Sequence, residues 1–380
     1  MSSQTTRGKE YSQRAGTLYL AFELGNTEWK LAFTVGLGQK PRERTIPAGE
    51  VTRLVEEIER AKQRFDLASS ARVVSCYEAG RDGFWLHRFL SEVGVESLVV
   101  DSSSIEVKRR GRRVKTDRLD VRKLVTMLIR YDGGEHKVWS VVRVPALEEE
   151  ENRQLHRELG ELKRERTRLT NRIKGLLAGQ GIRIELKRDF VERLGAAQMW
   201  DGSPVPAALR CRLLREWERV ELINRQIREL EDDREELVRE WDSPEVEKVR
   251  RLMQLRGIGI NFAWLLVMEF FGWRRFRNRR QVGSLSGLVP TPYQSGASSR
   301  EAGISKAGNV WVRAVAIEMA WAWLRFQPRS ELARWYRERY AQGGSRMRRI
   351  GIVAVARKLL VDLWRYLDWG VVPAGAALKA

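Results

Sequence analysis

Short apolar runs alternate with amphipathic stretches over the first hundred residues. Two β-prone runs, at 18–22 and 29–33, are separated by the turn residues 25–27, and this pattern predicts a β-hairpin. Two more strands are predicted at 71–76 and 97–100, and two helices at 51–65 and 84–93. The alternation of strands with helices predicts an α/β domain with a mixed sheet.

The middle of the chain has heptad spacing. Apolar residues fall alternately four and three apart from 155 to 176, and again from 223 to 241 after a linker that contains Gly202 and two prolines. Arg166 and Arg234 interrupt the two runs. The spacing predicts two long helices that either fold back on each other within one chain or pair with a second subunit. We favour dimerisation, because so long a seam has few other apolar partners.

From residue 249 onward the chain consists of Trp-rich apolar helical stretches, interrupted by a polar Gly/Ser segment at 283–309. The expected fold is therefore an α/β N-terminal domain, a long helical coiled-coil segment and a mostly α C-terminal domain. We place these domains at 17–145, 150–245 and 246–370.

Composition narrows the class of partner. The 380 residues include 70 Lys and Arg against 50 Asp and Glu, a net charge of +20, which indicates a polyanion such as nucleic acid. Two cysteines do not make a disulfide framework or a zinc cluster. Apolar runs fall well short of the ~20 residues that cross a bilayer, and the charged N-terminus is unlike a signal peptide. We therefore expect a soluble cytoplasmic protein without a membrane partner.

Four acidic residues stand where a metal site could form. Glu23 ends the first predicted strand, and Glu78 follows the strand predicted at 71–76. Asp117 and Asp120 are three apart on a predicted helix, and so share one face. Carboxylates in this pattern suit two Mg²⁺ or Mn²⁺ ions about 4 Å apart, as in phosphoryl transfer.

A basic run precedes the two aspartates and would neutralise a phosphate backbone beside the metal. Its expected phosphate contacts are Lys108, Arg109, Arg110, Arg112, Arg113 and Lys115. The plainer alternative is a solvated helix face, on which Asp117 and Asp120 pair with Arg118 or Arg122.

Three motifs resemble a known domain in order and spacing: Phe-Glu-Leu-Gly at 22–25, Tyr-Glu-Ala-Gly at 77–80 and Lys-Thr-Asp-Arg-Leu-Asp at 115–120. They are similar to the RuvC-like, RNase H-like DEDD domain of the IS-one-ten group of insertion-sequence transposases, which includes Piv-type DNA invertases. The resemblance implies that the four acids are catalytic metal ligands. One position departs from the family, because Glu23 stands where an Asp is usual.

The segments 285–296 and 303–309 resemble the C-terminal transposase domain of the same group. The resemblance implies a serine that attacks a DNA phosphate and becomes covalently linked to DNA, and by position it is Ser295. Competing candidates are Ser298, Ser299 and Ser305. The alternative is that Ser295 merely belongs to a Ser-Gly turn.

No histidine lies near Ser295 in the sequence, so its activation would depend on metal held by the N-terminal carboxylates. The serine would reach them from the same chain or from a partner subunit. The resemblance favours a homo-oligomer, either a dimer or a tetramer.

Further nucleic-acid contacts are expected in the C-terminal half. Lys306 and Asn309 precede a helix predicted to begin at Val310, where a phosphate could bind. The turn at 255–260 resembles a helix-hairpin-helix turn, which grips phosphate through backbone amides.

An arginine cluster at 274–280 surrounds two aromatic residues, Trp273 and Phe276. Arginines beside aromatic rings can bind single-stranded nucleic acid or RNA through charge and base stacking. The alternative is that the arginines form a solvated face, while Trp273 and Phe276 make a core contact. The arginines of the cluster are Arg274, Arg275, Arg277, Arg279 and Arg280.

The leading hypothesis is a transposase that cuts, exchanges and rejoins DNA strands to move an insertion sequence in a prokaryotic nucleoid. The resemblance further implies a structured guide, the bridge RNA, which would explain a charge of +20 without an obvious groove-reading helix. One alternative is a RuvC-like nuclease or junction resolvase that hydrolyses with water. Another is a non-catalytic nucleic-acid-binding scaffold in which Glu23 marks a degenerate site.

Overall fold

The computed structural model describes residues 16–81, 83–105, 117–295 and 298–379. Within this part, the side chains of 103, 117–120, 292–295 and 298–302 lie outside the description. The chain divides into two compact units, Met1–Val144 and Pro145–Ala380. In the part that the structure describes, no helix is long and apolar enough to span a membrane.

The first unit contains a mixed five-stranded sheet, which confirms the predicted α/β class. Its strands are β1 (Leu18–Leu24), β2 (Glu28–Thr34), β3 (Arg42–Pro47), β4 (Val73–Glu78) and β5 (Glu96–Val100). The order is β3-β2-β1-β4-β5, with β1 antiparallel to β2 and parallel to β4. The predicted hairpin is β1–β2. Its turn requires Gly25, because a Cβ there would lie 2.5 Å from the carbonyl oxygen of Glu28.

Helices cover both faces of this sheet. They are α1 (Val51–Arg64), α2 (Trp85–Glu92) and α3 (Asp117–Asp132), and a short 3₁₀ turn spans Ser102–Ser104. Because successive strand residues point to opposite faces, Leu20 packs with α1 and α2, whereas Ala21 packs against α3. The edge strand β3 was not predicted, since Ile46 is its one buried residue.

The long helices α5 (Gln154–Ala178) and α7 (Ala207–Glu240) form an antiparallel pair within one chain. Lys163 Nζ lies 2.7 Å from a carboxylate oxygen of Glu231, and Arg172 Nη1 lies 3.0 Å from one of Glu216, so partner numbers fall along α7 as they rise along α5. The buried seam residues are Leu159, Leu169, Ile173, Leu177, Leu213, Trp217, Val220, Ile223 and Ile227. The two helices thus fold back on each other within one chain, and α7 covers the apolar face of α5 from which we predicted a second subunit.

The rest of the second unit is a mostly helical core with one β-hairpin. Its helices are α4 (Leu147–Glu151), α6 (Phe190–Ala196), α8 (Pro244–Met253), α9 (Ile260–Leu266), α10 (Arg279–Leu285), α11 (Val310–Phe326), α12 (Glu331–Tyr336) and α13 (Ser345–Trp369). Two π-helical segments cover Val267–Phe271 and Arg337–Ala341. The hairpin is formed by β6 (Pro290–Ser295) and β7 (Ser298–Ile304).

This core continues into the helical pair. Trp264, Phe270 and Trp323 are buried at its centre, and Leu155 from α5 and Leu237 from α7 pack against it. The helical pair and the C-terminal helices therefore share apolar packing at one end of the pair.

Two glycines on α5 give a matched test of how closely the core approaches this helix. A Cβ on Gly160 would lie 2.6 Å from the ring of Trp311, whereas a Cβ on Gly175 would meet nothing within 4 Å. We predict that Gly160→Ala destabilises the protein, although alanine normally stabilises a helix by about 1 kcal/mol relative to glycine.

Gly175→Ala should show that ordinary stabilisation. Urea unfolding followed by tryptophan fluorescence would measure both variants. If both substitutions raised the midpoint, the close approach to Trp311 would be wrong.

Candidate functional site

Two of the predicted acids lie side by side at the carboxyl ends of parallel strands. Phe22 of β1 pairs in register with Tyr77 of β4, and Glu23 and Glu78 are the next residue of each strand. Adjacent strands are about 4.8 Å apart. Glu23 is half-buried, whereas Glu78 is exposed and is the last residue of β4 rather than a loop residue.

The first turn of α3 lies at the same edge of the sheet. At the far end of this helix, Asp132 accepts hydrogen bonds from Tyr19 Oη at 2.8 Å and from both Nη atoms of Arg72 at 2.9 and 3.0 Å. Tyr19 is the second residue of β1 and Arg72 directly precedes β4, so α3 runs antiparallel to both strands. Cys76 Sγ lies 3.8 Å from the carbonyl oxygen of Leu124. At about 1.5 Å per helical residue and about 3.3 Å per strand residue, the backbone of Asp120 is therefore roughly level with Glu78.

Strand alternation places the two glutamates on the α3 side of the sheet. Glu23 continues the series of Tyr19 and Ala21, and Glu78 that of Val74 and Cys76, all of which pack against α3. The backbone of Asp117 and Asp120 forms the start of α3, as predicted, while their side chains lie outside the description. Three elements thus bring the four predicted acids to one edge, which we name the acidic edge.

A fifth acid, missed in the sequence, lies at the acidic edge. Asp101 directly follows β5, which is parallel to β4 and pairs Val100 with Glu78. The signal was present, because Asp101 directly follows the apolar run 98–100, as Glu78 follows the run that ends at Tyr77. Among the side chains that the structure describes, no group of three or more His, Cys, Asp or Glu is arranged to hold a metal. The basic run 108–115 lies outside the described residues.

The predicted nucleophile lies at the tip of the β6–β7 hairpin. Ser295 is the last residue of β6 and pairs in register with Ser298, the first residue of β7. The side chains of Ser295, Ser298 and Ser299 lie outside the description, whereas Ser305 is exposed at the base of the hairpin. Both interpretations of Ser295, as a nucleophile and as a turn residue, agree with this backbone position.

The base of this hairpin is closed by backbone hydrogen bonds. The amide nitrogens of Ser305 and Lys306 donate to the carbonyl oxygens of Val289 at 2.9 Å and Gly287 at 3.2 Å. Helix α11 begins at Val310, as predicted, and Asn309 Oδ1 caps it by accepting from the amide nitrogens of the first turn at 2.8 and 3.1 Å. The expected phosphate contacts of Lys306 and Asn309 remain predictions.

A buried carboxylate, also missed in the sequence, connects this segment to the helical pair. Glu269 has no exposed surface. Its Oε1 accepts from Arg157 Nε at 2.6 Å and lies 2.9 Å from His156 Nε2, both on α5. Its Oε2 accepts from Asn309 Nδ2 at 2.7 Å. The indole nitrogen of Trp273 donates to the backbone carbonyl of Glu269 at 3.1 Å. We name this group the Glu269 network.

The network keeps Glu269 ionised despite its burial. Burial alone would raise its pKa, but hydrogen bonds from His156 and Arg157, together with their charge, outweigh burial and lower the pKa to about 2. Glu269 sits in the π-helical segment, a local widening of the helix that is frequent at functional sites. A single acid within the apolar run 263–271 was the available signal.

Within the arginine cluster, the two aromatic rings pack against the core, as the alternative interpretation of this segment predicted. Trp273 is buried, and the guanidinium carbons of Arg153 and Arg274 lie 5.0 and 4.1 Å from its ring centre. Phe276 packs against Phe270, with the ring centres 4.7 Å apart. Trp273 is therefore enclosed and Phe276 is half-buried, while nearby Arg275 and Arg277 are exposed. Phosphate binding by Arg274, Arg275 and Arg277 remains a prediction.

The turn that resembles a helix-hairpin-helix connects α8 to α9 and contacts the C-terminal segment. The amide nitrogen of Arg256 donates to the carbonyl of Ala377 at 3.1 Å, and Lys379 Nζ donates to the carbonyl of Ile258 at 3.0 Å. These contacts give part of the turn's backbone a structural role.

Comparison with known proteins defines the class. A Sinorhizobium fredii protein named as a transposase, y4rJ, is 39% identical over 96% of this chain and 95% of its own length. A Pseudomonas aeruginosa protein named as a family 20 transposase is 31% identical over 60% of this chain and 66% of its own. The transposase for insertion sequence element IS1328 of Yersinia enterocolitica is 28% identical over 57% and 63%. These similarities define the class as transposase.

The sequence model of the transposase IS116/IS110/IS902 family matches residues 249–335, which include the serine hairpin and Glu269. The chain belongs to this family of transposases. The predicted membership of the IS-one-ten group of transposases is thereby confirmed.

Removing the charge of Glu269 should destabilise the folded protein. We predict that Glu269→Gln lowers the free energy of unfolding by about 3 kcal/mol, because Arg157 and His156 lose a buried anionic partner. Glu247→Gln removes an exposed carboxylate on α8, which lies 3.7 Å from Arg250, and should change stability by less than about 0.5 kcal/mol. Equal losses in urea unfolding would show that the Glu269 network does not stabilise the fold.

The same carboxylate predicts a pH dependence. Its pKa is lower in the folded protein, at about 2, than its ordinary value of 4.5, so its stabilisation is present above pH 4.5 and is lost as the pH falls towards 2. The stability difference between wild type and Glu269→Gln should therefore narrow by about 2 kcal/mol between pH 5 and pH 3. A constant difference in urea unfolding over this range would contradict the low pKa.

Proposed function

We propose that this transposase cuts and rejoins DNA strands by metal-dependent phosphoryl transfer at the acidic edge, with Ser295 as the nucleophile. The observation that carries the proposal is the meeting of Glu23, Glu78 and the first turn of α3 at one edge of the sheet. Membership of a transposase family supports DNA as the substrate.

The donor set of the acidic edge fits hard divalent cations. Glu23, Glu78, Asp117 and Asp120 would supply carboxylate oxygens, the ligands that Mg²⁺ or Mn²⁺ prefers. Two bound ions would neutralise phosphate charge and favour deprotonation of an attacking hydroxyl. The strand order, with a hairpin followed by two parallel strands, supports the assignment to the RuvC-like class. The extra methylene of Glu23 lengthens the reach of one ligand.

The proposed step is a transesterification that conserves the number of phosphodiester bonds. Ser295 Oγ attacks a backbone phosphorus, its proton passes to a carboxylate or to solvent, and a deoxyribose hydroxyl leaves with the broken strand. Attack on the phosphoserine ester by a hydroxyl from another strand reverses this step, rejoins DNA and restores the serine. Ser295 would reach the acidic edge from its own chain or from a partner in a dimer or tetramer.

Target choice is proposed to depend on a structured guide RNA encoded by the element. The net charge of +20 suits binding to both nucleic acids, and base pairing would supply the sequence specificity. Comparing recombination with and without the candidate RNA would test this part separately.

The covalent step can be trapped. Purified protein, element DNA, candidate guide RNA and Mg²⁺ should give a protein–DNA adduct that denaturing electrophoresis resolves. We predict that Ser295→Ala abolishes the adduct, because no hydroxyl remains to form the ester, whereas Ser305→Ala at the hairpin base retains it. Removal of Mg²⁺ by a chelator should abolish the adduct as well.

Several outcomes would contradict the proposal. An adduct that persists in Ser295→Ala but disappears in Ser298→Ala or Ser299→Ala would move the nucleophile within the hairpin. DNA cleavage without any adduct would indicate hydrolysis by water, as in a resolvase. Full recombination by Asp117→Asn and Asp120→Asn would remove the acidic edge from the chemistry.

A further inference from the structure

A cavity of about 610 Å³ lies in the second unit, away from the hairpin tip. Its walls come from α10, the start of α12, α13 and the C-terminal residues 371–374. Sites for small ligands usually span about 300 to 1,000 Å³, so one nucleotide-sized group fits this volume.

Cations dominate the charged lining of this cavity. Its basic residues are Arg279, Arg280, Arg357, Lys358 and Arg365, and its acids are Glu331 and Asp362. Arg365 lies 3.9 Å from Asp362. In the part of the chain that the structure describes, no carboxylate forms an ion pair with Arg279, Arg280 or Arg357. Three guanidinium groups are thus available for an anion.

Two tryptophans, Trp323 and Trp335, line the cavity, and Trp335 contacts Lys358 of the same lining. Lys358 Nζ lies 4.6 Å from the ring centre of Trp335, a cation–π contact that restricts the ammonium group. Trp323 is buried, and its indole nitrogen donates to Ser330 Oγ at 3.0 Å. Lys358 and Trp323 are therefore held in place by neighbouring side chains.

An apolar wall completes the cavity. It contains Val361 of α13 and the C-terminal residues Val371, Val372 and Pro373. Val371 is 56% exposed and Val372 is 39% exposed, so both present apolar surface beside the cavity. A ligand that carries both an anion and a flat apolar surface would match these two walls.

We infer that this cavity binds one unpaired nucleotide of a nucleic-acid strand. The three free arginines contact its phosphate, and the base lies against Val361, Val371 and Val372. The cavity is bordered by Val289, which directly precedes β6, so a bound strand would lead toward the serine hairpin. The inference goes beyond the proposed strand transfer, because it requires neither metal nor Ser295.

Binding without catalysis tests the inference. Fluorescence anisotropy of the full chain in chelator would compare a labelled pentathymidylate with the same oligomer carrying a central abasic site. Wild type should bind the intact oligomer about fivefold more tightly, since the abasic strand lacks the base that contacts the apolar wall. An equal affinity for the two oligomers would overturn the inference.

Matched charge variants separate the cavity from general attraction to a basic protein. The double variant Arg279→Gln, Arg357→Gln should lose about tenfold in affinity and lose the preference for the intact base. The control Arg348→Gln, Arg349→Gln removes two exposed cations of α13 outside the cavity lining, and should keep that preference. If both pairs lost equal affinity and kept the preference, the cavity would not be the site.

A measurement on the unaltered protein covers the case in which the double variant fails to fold. A pentanucleotide with 4-thiothymidine at its centre, irradiated with wild type in chelator, should crosslink to peptides from 357–374. Inorganic phosphate should compete weakly and thymidine monophosphate more strongly. Crosslinks confined to other peptides, or equal competition by phosphate, would overturn the inference. Because no metal is present, failure here would leave the strand-transfer proposal standing.

Discussion

The second unit depends on the buried negative charge of Glu269. Glu269 has no exposed surface, and a carboxylate without solvent must be matched by donors from its surroundings. Those donors come from α5, through His156 and Arg157, and from Asn309 at the start of α11. Each donor is therefore held in one place, and with it the long helix and the segment that follows the serine hairpin.

In the first unit, a second carboxylate orients helix α3 in a similar manner. Asp132 accepts from Tyr19 and Arg72, and this fixes which end of α3 lies at the carboxyl ends of β1 and β4. The acids with structural roles, Glu269 and Asp132, bind donors from distant segments, whereas Glu78 at the acidic edge is exposed. Burial thus distinguishes these two acids, which stabilise the fold, from the exposed Glu78.

Local patterns predicted much of this fold. Alternating apolar runs identified the β1–β2 hairpin, and the strand end identified Glu78, because these features depend on neighbouring residues. The heptad runs predicted an apolar seam, but their spacing does not distinguish a partner helix in the same chain from one in a second subunit. The structure shows that α5 packs against α7 of the same chain. Glu269 was missed because its partners Arg157 and Asn309 are distant in sequence and no period connects them.

The hairpin that carries Ser295 shows why these anchors matter for chemistry. An isolated two-stranded ribbon is marginally stable in water, so its position depends on what holds its base. Here the base is closed by backbone bonds, such as Ser305 to Val289, and Ile304 packs against the core. The Glu269 network then fixes Asn309, a few residues beyond. Ser295, at the tip of this ribbon, is therefore positioned through the contacts described at its base. In the proposed strand transfer, the packing of the hairpin base would therefore fix the position of the nucleophile.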